Sequence, residues 1–479
     1  MIFNSFEFIL IFPLIFLLYY LAASIKPLTR VVPKIGNYLL IFVSYALYIK
    51  AVPVCVLILL YVTLVTYISG ILIEKYKFNR TTSKKLLCTT LVILTILPLL
   101  VFKYYDFFAT QFNLLLSPIS TWRLSGLNWI IPLGLSFYTF QALGYLFDVY
   151  YRKIEAERNF LDYTLFICFF PQIASGPISR AKDLLAQIKN KRPFDQYQAT
   201  SGLRFLLWGM FMKVVLADRA GMLVDTIFGN YHYYSGFSLA FASVLYSFQI
   251  YGDFAGYSFM AIGVGKLLGF DLINNFRQPY LAVSVTDFWH RWHISLSTWL
   301  KDYIYIPLGG SRCLRIRNYA NILVTFLVSG IWHGANWTFI FWGVIHGLAQ
   351  VIEKALGIRK SSGKIILRPI RILVTFIFVT FAWVIFRMPE LSDGVAIINR
   401  ILTNCDGMDK FGVITARLHI GLALLIVIVK DLLDEYYQQE NKLLSVNCGV
   451  VRWAIYLAIL SMITLCGVLD SSQFIYVNF

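Results

Sequence analysis

Apolar residues gather along this chain into long runs, separated by short polar stretches that carry most of the lysines and arginines. A run of about 18 or more apolar residues makes a helix long enough to cross a hydrocarbon layer about 30 Å thick. Runs near 6–23, 52–73, 86–102, 129–151, 159–175, 203–228, 319–352, 370–386, 413–430 and 451–469 reach or approach that length, whereas 38–49 is short and 237–269 is long for one crossing. The pattern predicts an all-α, polytopic membrane protein with about ten to twelve membrane helices. The first run has neither a basic segment before it nor a small-residue cleavage site after it, so it is expected to be a mature span.

The segment 271–318 departs from this pattern, being polar, aromatic and rich in Trp, His and Arg. It is too polar to cross lipid exposed, and is expected to fold as re-entrant or interfacial structure. No repeat, low-complexity tract or long linker divides the chain, so residues 1–479 read as a single membrane domain.

Composition sharpens the membrane reading. Only 14% of residues are charged against 58% hydrophobic, whereas soluble domains carry about 25% charged residues. The remaining charges cannot cover a water-facing surface. The net charge of +17 falls into short loops: Lys26, Arg30 and Lys34; Lys75, Lys77, Arg80, Lys84 and Lys85; Arg180 to Arg192; and Lys354 to Arg371. That distribution follows the positive-inside rule rather than forming a nucleic-acid patch, and it places both the N-terminus and residues 470–479 outside. The seven cysteines contain no C-x-x-C pair, which argues against a disulfide framework or thiolate metal site.

Three clusters carry candidate chemistry. Residues 288–302, read as one helix starting after an N-cap at Asp287, put Trp289, Trp292, Leu296 and Trp299 on one face and Arg291, Ser295, Thr298 and Asp302 on a polar stripe. Its His290 and His293 are either boundary residues or imidazoles facing an internal tunnel, and spacing does not choose between them. The second cluster, Ser329 to Trp337, buries His333 in an apolar run between Gly330 and Gly334, with Trp332 and Asn336 beside it. An ionisable group there is a functional candidate, with a packed, hydrogen-bonded histidine as the alternative. In the third, Asp253 beside Gln249 and Tyr251 either lines a tunnel or anchors a helix. His346 reads as a packing residue. His290, His293 and His333 have no nearby Cys or Glu to complete a metal site, so none is expected.

These stretches resemble the membrane-bound O-acyltransferase family, in the branch of bacterial acetyltransferases for alginate, peptidoglycan and other envelope polysaccharides. The resemblance rests on Ile131 to Gln141, Phe170-Pro171-Gln172 with Ser175 to Ile178, Asp253 to Ser258, Phe288 to Gly310 and Gly330 to Gly347. It implies that His333, in its Trp-His-Gly context, is catalytic and that His293 is the second family histidine. The terminal Phe474-Ile475-Tyr476-Val477-Asn478-Phe479 is similar to a signature whose tyrosine is implicated as an acyl acceptor, which falls on Tyr476; an aromatic-belt residue is the other reading. His290 stands where many alginate-type members have Arg, and Phe259 where Asp is frequent, which weakens any assignment of the polymer.

The resemblance further implies a central tunnel in which a cytoplasmic thioester, acetyl-CoA, meets an acceptor, with no bound cofactor. Membrane lipid, an extracytoplasmic SGNH-type acetyltransferase and a cell-envelope polysaccharide are the expected partners. Asn336, His293 or a backbone N–H would stabilise the oxyanion. A polysaccharide or lipid flippase, or a teichoic-acid D-alanyl transferase, is the competing expectation.

Overall fold

The computed structural model describes residues 3–25, 34–76, 81–358, 367–404, 407, 409 and 414–468, and contains helices and loops with no strand among them. Five helical segments are long and apolar enough to cross a membrane: Pro53–Lys75, Ser83–Leu116, Gln196–Gly229, Arg368–Arg387 and Gly449–Cys466. The protein is an all-α, polytopic membrane protein. Its contacts form two compact units, one holding Glu7–Ala199 with Val264–Ile273, the other Thr200–Gly263 and the described residues from Asn274 onward, with those before Glu7.

Helices α1 (Phe6–Ser24), α2 (Ile35–Ala51), α3 (Val56–Lys75), α4 (Thr81–Leu99), α5 (Tyr105–Leu116), α6 (Leu135–Tyr150), α7 (Phe160–Cys168) and α8 (Ala181–Lys189) build the first unit. Pro98 near the end of α4 cannot donate to the helical ladder, and the chain widens into a π-turn at Leu100–Tyr104 before α5 begins. Helix α7 starts where the Asn159 side chain accepts from the backbone N–H groups of Leu161 and Asp162, at 2.9 and 3.2 Å.

The second unit is built from the following helices: α9 (Gln196–Met210), α10 (Asp218–Gly229), α11 (Gly236–Leu267), α12 (Val285–Trp289), α13 (Ile294–Leu300), α14 (Arg315–His333), α15 (Trp337–Ala355), α16 (Arg368–Arg387), α17 (Leu391–Thr403), α18 (Ile414–Tyr437) and α19 (Gly449–Cys466). On α18, Leu418, Leu422 and Leu425 are exposed at helical spacing, a stripe suited to lipid rather than water. Helices α14 and α15 form a hairpin whose backbones nearly touch. A Cβ on Gly330 would lie 2.4 Å from Phe339 O, and one on Gly343 would lie 2.4 Å from Phe326 O. Small residues at such crossings let membrane helices pack closely.

The segment 288–302 is not one helix. It is α12 and α13, separated by a break at 290–293 in which His293 takes left-handed torsions, φ 44° and ψ 54°. Tertiary hydrogen bonds break the helical ladder there: Arg277 N–H donates to Arg291 O and Ile294 N–H to Asn275 O, both at 2.9 Å. The N-cap is Ser284, which accepts from Asp287 N–H at 3.0 Å, rather than Asp287, whose carboxylate receives Arg291. The tryptophan face survives the break, because Trp289, Trp292, Leu296 and Trp299 are all buried.

Candidate functional site

His333 is the last residue of α14, and the turn Gly334–Asn336 follows it. Its imidazole is 2% exposed and packs edge to face against Trp342, Phe386 and its neighbour Trp332, at 5.0, 5.3 and 4.9 Å between ring centroids. The break between α12 and α13 brings the His293 ring to 5.8 Å from that of Trp332, with the Phe254 ring 4.7 Å away. The two histidines, distant in sequence, thus share one buried aromatic wall. His293 is completely buried, whereas His290 is exposed and donates from Nδ1 to Thr286 O at 2.7 Å. Among the described residues, no group of three or more His, Cys, Asp or Glu is placed to hold a metal ion.

The supports of this wall are ionic and specific. Arg291, 5% exposed, reaches Asp287 from Nε at 3.1 Å and grips both oxygens of Glu435 on α18, at 2.8 and 3.1 Å. Trp289 donates its indole N–H to Nδ1 of His346 at 3.2 Å. The proton of a neutral His346 therefore sits on Nε2. His346 is buried against Trp289 and Trp342, and the Trp289 N–H is a polar neighbour that sequence spacing does not reveal. Asp302 is half-buried in a π-turn at Lys301–Tyr305 that follows α13.

Two further residues from the sequence analysis have defined polar partners. Asp253 is buried and bound by the Lys213 ammonium at 2.6 Å, and Lys213 also meets Asp218 at 2.6 Å. Asn336 caps α15, accepting from Thr338 N–H at 3.1 Å while its amide N–H donates to Pro389 O at 2.8 Å. The amide NH2 carries a second N–H beyond the one given to Pro389. Sequence reasoning missed Lys213, although a lone lysine within an apolar run was the available signal. Tyr476 lies outside the described residues.

Beside the histidines lies a cavity of about 550 Å³, bordered by α12, α13, α14 and α15. Ile294, the residue after His293, and Ser329, one turn before His333 on α14, line it although the two histidines themselves do not, and His290, Lys301 and Lys354 add polar and cationic groups. Lys354 donates to Asn318 Oδ1.

Comparison with known proteins gives the class, a membrane acyltransferase. The model of the membrane-bound O-acyltransferase family matches residues 150–392. The chain is 36% identical over 393 residues to a Pseudomonas aeruginosa protein named probable alginate O-acetylase AlgI, covering 82% of this chain and 73% of the relative. It is 38% identical over 328 residues to the peptidoglycan O-acetyltransferase of Helicobacter pylori, covering 62% and 61%. To the teichoic acid D-alanyltransferase of Streptococcus thermophilus it is 30% identical over 236 residues, covering 47% and 57%. The chain belongs to the membrane-bound O-acyltransferase family.

Proposed function

We propose that this enzyme takes an acetyl group from acetyl-CoA at the cytoplasmic face and passes it, through Tyr476, to an extracytoplasmic SGNH-type partner or directly to a cell-envelope polysaccharide. The observation that carries the reading is the placement of His293 and His333 on one aromatic wall beside a cavity that also holds Lys301 and Lys354. Binding sites for small ligands run to about 300–1,000 Å³, and the lysines complement an anionic thioester donor. Positive-inside counting puts the Lys354 end in the cytoplasm, so the cavity leads inward from the donor's side to one turn short of His333. By the same counting, the chain is a multi-pass protein of the bacterial cytoplasmic membrane with both termini outside. Acetyl transfer is favoured over D-alanyl transfer because the acetylating relatives match at higher identity over more of the chain.

A phenol with a pKa of about 10 is barely ionised near neutrality, whereas an imidazole near 6.5 can accept its proton as attack proceeds. His333 is that base, and it returns the proton to the departing thiolate. His293 orients and polarises. An acyl-tyrosine keeps a good phenolate leaving group, so it retains the potential to transfer acetyl again.

The test is thiol release from acetyl-CoA by the purified protein. His333→Ala should lower turnover by about 10²- to 10⁴-fold, with insertion and folding retained. His293→Ala should cost less. A folded His333→Ala protein with near-normal turnover sinks the assignment.

A further inference from the structure

Ser329 stands one turn before His333 on α14, so the two side chains share a face with Cβ atoms about 6 Å apart. It borders the cavity, it is fully buried, and its hydroxyl has no hydrogen-bond partner among the described residues. The other serine and threonine hydroxyls of the cavity are all committed. Thr286 donates to Glu353 at 2.7 Å, Ser297 to Trp292 O at 3.2 Å, Thr298 to Ile294 O at 2.8 Å and Thr325 to Asn321 O at 2.6 Å. Thr325 lies on the same helix one turn earlier and makes the usual return bond to the carbonyl four residues back. A buried hydroxyl without a partner costs stability, and such atoms call for an explanation by ligand or function. The neighbouring indole N–H groups of Trp342 and Trp383 also have no hydrogen-bond partner among the described residues, but neither residue borders the cavity.

From this geometry we infer that the Ser329 hydroxyl is the hydrogen-bond donor to the carbonyl oxygen of the acyl thioester, holding it as negative charge builds there. The inference rests on the acetyl-transfer reading. The acceptor hydroxyl oxygen attacks the thioester carbon and its proton passes to His333, while the carbonyl π pair moves onto the oxygen that Ser329 holds. Collapse re-forms the carbonyl and breaks the carbon–sulfur bond. The thiolate leaves with the proton from His333, so hydroxyl and thioester become ester and thiol with no net proton change.

The experiment uses the full chain purified in detergent, with acetyl-CoA as the probe and thiol release as the readout. Ser329→Ala should lower kcat by about 10²-fold, the cost of one oxyanion donor, while KM for acetyl-CoA stays within about threefold. Ser329→Cys keeps the size and the fold but offers only a weak S–H donor. It should be impaired as well, and it carries the test if the alanine variant does not fold. If Ser329→Cys turns over like the unmutated protein while His333→Ala is inactive, the role of Ser329 is overturned and the acyl-transfer reading stands. If the unmutated protein releases no thiol from acetyl-CoA, both fall together.

Discussion

Arg291 holds Glu435 through two nearly parallel bonds, Nη1 to Oε2 at 2.8 Å and Nη2 to Oε1 at 3.1 Å, while its Nε reaches Asp287. One guanidinium therefore ties the break that presents His293 to helix α18. Lysine carries the same charge but cannot form this fork. Arg291→Lys should lose at least one charge-assisted bond, destabilising the protein by about 1.5–3 kcal/mol. Thermal unfolding in detergent measures it. A variant that melts with the unmutated protein would remove Arg291 from the scaffold of the site.

The α14–α15 hairpin offers a second test, of packing. Gly330 has backbone where a Cβ would go, 2.4 Å from Phe339 O, whereas a Cβ on Gly421 meets nothing within 4 Å. Gly330→Ala should separate the two helices and cost about 1–3 kcal/mol, the usual penalty of overpacking. Gly421→Ala, within α18, should be neutral or stabilising by about 0.5–1 kcal/mol. Comparable melting of the two variants would contradict the close crossing that fixes His333.

The helices were legible because lipid demands uninterrupted apolar runs, and those runs can be read directly from residues such as 52–73 and 370–386. The break at 290–293 was not, because it depends on Asn275 and Arg277, which lie in a different stretch and outcompete the local ladder. Lys213 and Asp253 are 40 residues apart and meet only in the fold. Asn336 caps α15, and an asparagine just before an apolar helix is the sequence signal for that cap. Ser329 opens the second sequence cluster, but its context is that of any small residue on a helix, and what sets it apart is a hydroxyl beside a cavity with no partner among the described residues.

Under the proposed acetyl transfer, a variant of Tyr476 tests whether the group is relayed through the protein or handed directly to the acceptor. Its candidacy rests on the terminal Phe-Ile-Tyr-Val-Asn-Phe segment and on positive-inside counting, which puts residues 470–479 outside. An interfacial anchor needs the aromatic body, whereas a nucleophile needs the hydroxyl. Tyr476→Phe keeps the first and deletes the second. The variant should accumulate to normal levels and lose polymer acetylation, and protein incubated with acetyl-CoA and no acceptor should carry acetyl on its C-terminal peptide only when Tyr476 is intact. Mass spectrometry of that peptide reads the intermediate directly. Normal acetylation by Tyr476→Phe, or a C-terminal peptide that never gains acetyl, would exclude the acyl-tyrosine step and leave direct transfer with His333 as the base.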